Sequence, residues 1–185
     1  MKPFIFAACD DAYYHYFAKA LINSARVHGH ECEVANGGVI SRGSAAALRY
    51  IKLPGMLQKH PSILILDVDS IINGPIEIGD RFDLGVFLRN EYTDRRKKIM
   101  GSAVYVTDRA MQFATELKDY LSNDPQWFAD QFWLYKLYER HKEKYTIKHF
   151  DTNFINWHFH PAPIWTGKGE AKDTENFKRE MQRYA

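Results

Sequence analysis

The fold prediction rests on the stretch Ile63-Leu64-Ile65-Leu66-Asp67-Val68-Asp69-Ser70-Ile71-Ile72. Its first four residues form a continuous apolar run, which predicts a strand buried on both faces. Side chains alternate along a strand, so Asp67 and Asp69 can converge only if the chain turns where the strand ends. Two carboxylates at the carboxyl end of a strand suit a divalent cation that also holds phosphate oxygens. The stretch therefore predicts a site for a phosphorylated or nucleotide-linked substrate.

Strand and helix patterns alternate on both sides of this stretch. The predicted strands are Phe4–Ala8, Glu31–Ala35, Ile63–Leu66, Asp83–Leu88, Ala103–Thr107 and Tyr145–Phe150. The predicted helices are Ala12–His28, a helix capped by Ser44 that ends near Leu57, one capped by Asp108 that ends at Leu121, Trp127–Lys142 and Thr174–Arg183. This order favours an α/β fold with a mixed central sheet flanked by helices, and with ligands at the carboxyl ends of its strands.

Two segments interrupt the regular pattern. Pro54-Gly55 predicts a local break near the end of the second helix. The charged stretch Arg89–Lys98 is the one long polar loop, and such a loop either covers an active site or lies on the surface without further function.

Length and composition predict one domain over residues 1–185. Hydrophobic residues make up 45% and charged residues 26% of the chain, which is ordinary for a globular protein. The net charge of +2 argues against a polybasic surface for nucleic acid or membrane. Cys9 and Cys32 are the only cysteines, too few for a disulfide framework, and both are predicted to be buried thiols in strands.

The chain shows no targeting segment. The apolar stretch Phe4–Ala8 is too short for a signal peptide and runs directly into Asp10 and Asp11. No apolar run approaches the roughly 20 residues that cross a bilayer. A soluble protein of the cytoplasm is the expectation.

Five segments in order resemble motifs of the GT-A glycosyltransferases. They are Phe6–Tyr13 opening a helix, Leu48–Pro54 before the Asp-Val-Asp stretch, Gly101–Val106, Ala129–Phe132 and Ile164–Lys172. The match is best with the retaining family of glycogenin and the lipopolysaccharide galactosyltransferases, glycosyltransferase family 8, relative to which this chain is short. The resemblance implies a GT-A domain, Mn²⁺ or Mg²⁺ as cofactor, a nucleotide-sugar donor (UDP-sugar first) and an unidentified glycan, lipid-linked or protein acceptor.

The resemblance also implies roles for single residues. Asp67 and Asp69 would bind the metal, with Asp67 also reaching the donor ribose or sugar. Asp130 and Gln131 match the Asp-Gln motif and would orient the acceptor hydroxyl or donor sugar. The implied donor contacts are Ala8, Asp10, Asp11, Tyr13, Arg49, Asp67, Gly167 and Lys172. Retention is implied by the family alone, and no covalent nucleophile is assigned.

Simpler interpretations remain open for several of these residues. One of Asp10 and Asp11 could merely cap the first helix. Arg49 could be an ordinary surface arginine, and Lys168 and Lys172 could belong to a basic loop. Asp151 and Asn153 follow a predicted strand, where Asx residues favour turns.

The chain departs from the family at the third metal ligand. The family carries His-x-Gly-x-x-Lys near its C-terminus, but Trp165 occupies the His position here. His158 and His160 lie just upstream and could reach a cation as neutral imidazoles, and His160 is the predicted ligand. Packed or exposed histidines without a ligand role are the alternative.

Two other functions compete with glycosyl transfer. Haloacid-dehalogenase-like phosphatases also run an apolar strand into Asp-x-Asp, which would make Asp67 a nucleophile and Asp69 an acid/base. Their motif usually opens the domain, whereas here it begins at residue 67. A non-catalytic nucleotide- or sugar-binding module is the second alternative. A nucleotidyltransferase would show a Gly-rich basic loop after the first strand, which Phe4–Tyr13 lacks.

Overall fold

A six-stranded mixed sheet forms the centre of the molecule. The computed structural model describes residues 2–124, 126–158 and 161–185. Its main sheet contains β1 (Phe4–Cys9), β2 (Cys32–Asn36), β3 (Ser62–Leu66), β5 (Leu84–Leu88), β6 (Ile99–Thr107) and β7 (Ile147–His149). A smaller sheet contains β4 (Ser70–Ile72), β8 (Ile155–Asn156) and β9 (Ile164–Thr166). The helices are α1 (Asp11–Val27), α2 (Arg42–Leu57), α3 (Met111–Asn123), α4 (Ala129–His141) and α5 (Glu175–Tyr184).

The strand order of the main sheet, β2-β1-β3-β6-β5-β7, gathers the functional candidates at one edge. β1 pairs in parallel with β2 and β3, while β6 runs antiparallel to both β3 and β5. The carboxyl ends of β1, β3 and β5 therefore meet the amino end of β6. Leu66 pairs with Ala103, which sets Gly101 and Ser102 beside Asp67.

The small sheet brings the C-terminal loop to the same edge. β4 follows the Asp-Val-Asp turn and pairs antiparallel with β9, Ser70 opposite Thr166. The backbone N–H of Gly167 then donates to the carbonyl of Asp69 at 2.6 Å. This pairing joins two segments about a hundred residues apart in the sequence.

Helices cover both faces of the main sheet. Leu64 and Leu66 belong to a core with α1 and α5, while Ile63 and Ile65 belong to a core with α2, α3 and α4. Each fully buried side chain of this size contributes about 1.5–3 kcal/mol to folding. The predicted α/β class, with a mixed central sheet between helices, is confirmed. None of the helices formed by the described residues is long and apolar enough to span a bilayer.

Two of the predicted helix caps are wrong. Ser41, not Ser44, caps α2, because its Oγ accepts a hydrogen bond from the Ser44 N–H at 3.1 Å. Asp108 opens a 3₁₀ turn (Asp108–Ala110), and α3 follows at Met111 without a side-chain cap. The cap at Asp10 is confirmed, since its Oδ1 accepts from the Tyr13 N–H at 2.9 Å.

The other differences lie at element ends and in short strands. α4 begins at Ala129 rather than Trp127, and β7 covers only the centre of Tyr145–Phe150. β6 begins four residues before the predicted Ala103. The three strands of the small sheet were not predicted, because two or three residues are too few to show an alternation.

The predicted break at Pro54-Gly55 is also wrong, since α2 continues to Leu57. Gly55 is exposed, and a Cβ there would meet nothing within 4 Å. We expect Gly55→Ala to raise the free energy of unfolding by about 0.5–1 kcal/mol, because alanine loses less backbone entropy in a helix. Urea denaturation measures this change.

Gly85→Ala is the matched control for Gly55→Ala. A Cβ at Gly85 would lie 2.4 Å from Cζ of Phe150 and 2.9 Å from Cβ of Tyr105. We expect a loss of about 1–3 kcal/mol from this overpacking. A destabilised Gly55→Ala variant would contradict the continuous helix.

Candidate functional site

A cavity of about 470 Å³ opens at the edge where β1, β3 and β6 meet. The predicted residues that line it are Ala8, Asp10, Tyr13, Arg49, Asp67, Asp69, Asp130, Gln131 and Lys172. Asp11 and Gly167 are not in its lining. The predicted ligand His160 lies outside the described residues. Nine of the twelve predicted site residues are therefore brought together by the fold.

Arg49 is the electrostatic centre of the cavity. It is only 6% exposed, and its guanidinium donates from Nη1 to Asp67 Oδ1 and from Nη2 to Asp130 Oδ2, the latter at 3.2 Å. Burial disfavours the charge of Asp67, but the attraction of Arg49 and the hydrogen bonds from Ser102 and Arg49 together outweigh burial and lower the pKa of Asp67. At Asp130 burial prevails over Arg49, and the pKa of that carboxyl is raised. Arg49 is therefore a buried ion-pair partner rather than a surface arginine.

Gly101 allows this ion-pair network to pack against β6. A Cβ at Gly101 would stand 3.1 Å from Asp130 Oδ2 and 3.3 Å from Arg49 Nη2. The Gly101 carbonyl accepts from the Tyr50 hydroxyl at 3.0 Å, which anchors the strand to α2. The small residue in this motif thus gives the two charged side chains room at the cavity floor.

Asp69 is a buried carboxylate without a direct ion pair among the residues that the structure describes. It is 8% exposed. Burial and the neighbouring charge of Asp67 raise its pKa to about 7, against the attraction of Lys172 and Arg49. A cation bound here would offset both effects.

Asp67 and Asp69 fit a divalent cation as a pair of oxygen ligands. Elsewhere in the described part of the chain, as at this site, no three His, Cys, Asp or Glu side chains form a metal-binding group. His158 is exposed and lines a second cavity, next to Trp165. Mg²⁺ and Mn²⁺ sites with two carboxylates commonly take their other ligands from substrate phosphates and water. The donor set therefore suits an ion that arrives with a diphosphate.

The β1 side of the cavity carries an aromatic ring and a lysine. Lys172 Nζ donates to the Tyr13 hydroxyl at 3.0 Å, and this bond raises the pKa of Lys172. Asp10 caps α1 while lining the cavity. Asp11 instead accepts from Asn36 Nδ2 at 2.8 Å, away from the lining. Of the two aspartates, Asp10 is the one positioned to contact a ligand.

Gly167 lies behind the lining rather than in it. A Cβ there would stand 2.8 Å from Lys172 Cβ and 3.2 Å from the Asp69 carbonyl. Together with its hydrogen bond to Asp69, this close packing holds the C-terminal loop against the Asp-Val-Asp turn. The position requires a residue without a side chain.

The turn before α4 carries backbone strain at the cavity wall. Phe128 has a φ of 69°, a left-handed conformation that costs a non-glycine residue about 1–3 kcal/mol. Phe128 and Trp127 both line the cavity, and Trp127 is 55% exposed at its rim. The strained turn leads directly into the helix that carries Asp130 and Gln131.

Two basic residues near the cavity, Arg89 and Lys168, were not among the site residues predicted from the sequence. Arg89, at the end of β5, donates to Gln131 Oε1 at 2.8 Å and is 8% exposed. Lys168 lines the cavity and lies 5.0 Å from the centre of the Trp157 ring. Burial and the charge of Arg89 lower the pKa of Lys168 to about 8. Only the position of Arg89 at the start of the polar loop could have drawn attention to it.

Cys9 also lines the cavity, where burial disfavours the reactive thiolate form of its side chain. Burial and the charge of Asp10 raise its pKa to about 12, and burial does the same for the half-buried Cys32. The thiolate is the reactive form, so at pH 8 about one molecule in 10⁴ is reactive at each position. We expect Ellman's reagent at pH 8 to modify both thiols far more slowly in the folded protein than in urea. Equal rates in the two states would contradict the burial of both thiols.

Comparisons with known proteins bear on the fold. No family model and no curated protein sequence matches the chain. Among solved structures, a glycosyltransferase involved in the glycosylation of the major capsid of PBCV-1 matches with a TM-score of 0.65 at 14% identity, over 98% of this chain and 100% of that one. The chain has a GT-A-type fold.

A second neighbour supports the same assignment. The apo structure of the bifunctional glycosyltransferase WbbM matches with a TM-score of 0.62 at 9% identity, over 98% of this chain and 50% of WbbM. The GT-A-type fold thus extends over nearly the whole chain, with the cavity at the carboxyl ends of β1 and β3. Membership of glycosyltransferase family 8 stays a prediction.

Proposed function

We propose that this protein is a divalent-cation-dependent glycosyltransferase that takes a sugar from a nucleotide-sugar, with UDP-sugar as the first candidate. The observation that carries the proposal is the shared position of Asp67, Asp69 and Lys172 around one cavity. Two carboxylates for a cation and a lysine for phosphate oxygens are what a departing nucleoside diphosphate needs. The fold agrees, since both solved neighbours are described as glycosyltransferases.

In this proposal different residues of the cavity bind different parts of the donor. Tyr13 and Asp10 bind the nucleobase, because the Tyr13 ring can stack on its face and the Asp10 carboxylate can accept a hydrogen bond from its N–H. Asp69 and Asp67 hold Mn²⁺ or Mg²⁺, which stabilises the negative charge of the leaving diphosphate. Lys172, which contacts Tyr13, adds a cation to the cavity lining.

The sugar then lies toward α4. Asp130 is fixed by Arg49, and Gln131 is fixed by Arg89, so both present set orientations to the cavity. Because its carboxylate is held in an ion pair, Asp130 orients a hydroxyl rather than attacking the sugar. Retention of configuration rests on the resemblance to family 8, and the acceptor is unidentified.

The phosphatase alternative is disfavoured by the partner of Asp67. In that reaction Asp67 would attack phosphorus, yet here Arg49 neutralises and restrains it. β6, one of the two strands that pair with β3, is also antiparallel to it, whereas a doubly wound phosphatase core is parallel.

The direct test is release of nucleotide from a panel of UDP-, GDP- and CMP-sugars with Mn²⁺, where water serves as acceptor. Release of UDP that depends on Mn²⁺ supports the proposal. Phosphate release from p-nitrophenyl phosphate would favour the phosphatase instead. Tight UDP binding without release from any donor or acceptor would favour the binding module. Asp69→Asn should reduce this release, and Asp119→Asn, an exposed change on α3, is its matched control.

A further inference from the structure

Arg89 is a buried cation without a carboxylate partner. Its Nη2 donates to the Ile99 carbonyl at 3.2 Å and to Gln131 Oε1 at 2.8 Å, both neutral acceptors. Its Nε is buried with no hydrogen bond, and the Tyr92 ring centre lies 5.0 Å from its Cζ. Within residues 2–124, 126–158 and 161–185, no carboxylate lies within ion-pair distance of it. A buried guanidinium that lacks a counter-charge is costly unless another group supplies one.

Lys168 adds a second charge of the same sign. It is half-buried in the cavity wall, and its ammonium likewise has no ion-pair partner in the described part of the chain. Burial lowers the pKa of Lys168, and repulsion from the charge of Arg89 lowers it further. Asp67 attracts Lys168 across the cavity, and Glu91 attracts both cations but is exposed and screened by water.

The cavity lining has no surplus of negative charge that could balance Arg89. It carries four carboxylates and four basic side chains: Asp10, Asp67, Asp69 and Asp130 against Arg42, Arg49, Lys168 and Lys172. Arg89 contacts Gln131 from outside the lining. It therefore adds one positive charge that no surplus carboxylate of the lining offsets. Arg89 lies beside Gln131 of α4, whereas Lys172 lies beside Tyr13 of α1.

Arg89 also determines which end of the Gln131 amide faces the cavity. A guanidinium can only donate, so the Gln131 oxygen must face Arg89. Gln131 lines the cavity, and its NH₂ group is left to donate there. The Gln131 amide and the Lys168 ammonium are thus two donors that line the same cavity, and such donors suit an anion.

We propose that Gln131 and Lys168 bind the carboxylate of a hexuronic acid, so that the donor is a nucleotide-hexuronate rather than a neutral nucleotide-hexose. Arg89 is the positioning residue, which orients the Gln131 amide and contributes its charge. The inference rests on the proposed function, because the diphosphate is placed at Asp69 and Lys172 and the carboxylate must then lie on the sugar.

The test compares the dissociation constants of UDP, UDP-glucose, UDP-galactose, UDP-glucuronate and UDP-galacturonate with Mn²⁺ by calorimetry. We expect at least one hexuronate to bind 10-fold or more tightly than its matching hexose. Lys168→Met should reduce this ratio toward one. Arg89→Met should do the same, with an unchanged thermal midpoint as the folding check. Where Arg89→Met does not fold, Lys168→Met alone decides.

Two controls separate the sugar carboxylate from the diphosphate. Lys172→Met should weaken UDP and all four UDP-sugars by the same factor and leave the ratio intact. Arg95→Met, an exposed change in the same polar loop, should alter nothing.

Three outcomes would overturn the inference. A hexuronate-to-hexose ratio of one overturns it while the proposed function stands. A ratio of one, together with binding of free glucuronate to the complex of the protein with UDP and Mn²⁺, would overturn it as well. That result would assign the carboxylate to the acceptor instead. Absence of UDP binding, with no nucleotide release from any donor of the UDP-, GDP- and CMP-sugar panel, would overturn the proposed function and this inference together.

Discussion

Replacing Arg49 by Met is expected to lower the free energy of unfolding by about 3–5 kcal/mol, the cost of removing one partner from a buried ion pair. The reason is that Asp67 and Asp130 would face each other's charge without the guanidinium between them. Nucleotide release from the donor should fall below detection, because the positions of both carboxylates depend on Arg49. Urea denaturation and the nucleotide-release assay measure the two effects.

The controls for Arg49→Met separate charge from packing. Lys52→Met removes an exposed cation from the same helix and should change stability by less than about 0.5 kcal/mol. Adding Asp67→Asn and Asp130→Asn to Arg49→Met should recover much of the lost stability, since no buried charge is then unpaired. Arg49→Met with wild-type stability would contradict the ion-pair network.

Asp69→Asn is expected to reduce nucleotide release at least about 100-fold, the scale on which one electrostatic group in an active site acts. The same substitution is not expected to lower the stability of the fold. Because burial raises the pKa of Asp69 to about 7, its ionised form is disfavoured by the fold at pH 8. The neutral amide removes that cost, and the thermal midpoint at pH 8 should stay the same or rise.

Such a separation of activity from stability would identify Asp69 as a ligand-binding group rather than a structural one. Asp119→Asn should leave both activity and thermal midpoint unchanged. A large loss of stability in Asp69→Asn would mean that the carboxylate serves the fold, against the proposed role.

Local pattern was enough to predict the central elements. The apolar run before Asp67 predicted β3, and the alternation of strands with amphipathic helices predicted the α/β class. Most of the site followed as well, because the ends of β1 and β3 meet at one edge of the sheet. Asp10 and Asp67 could therefore be assigned to one cavity before any contact was known.

The contacts between distant segments could not be predicted in the same way. Arg49 pairs with carboxylates 18 and 81 positions away, and nothing in its own helix indicates the second. Arg89 meets Gln131 across 42 positions, so a loop residue proved to be a buried one. The short strands β4 and β9 exist because they pair with each other, and neither carries a pattern of its own.

The central claim is that Asp67 and Asp69 bind a divalent cation together with a nucleoside diphosphate. Titration of UDP into the protein by calorimetry, with and without Mn²⁺, tests it most directly. We predict binding that Mn²⁺ strengthens at least 10-fold in the wild type and that Asp69→Asn makes insensitive to Mn²⁺. UDP binding of equal strength with and without Mn²⁺, or no UDP binding at all, would contradict the claim.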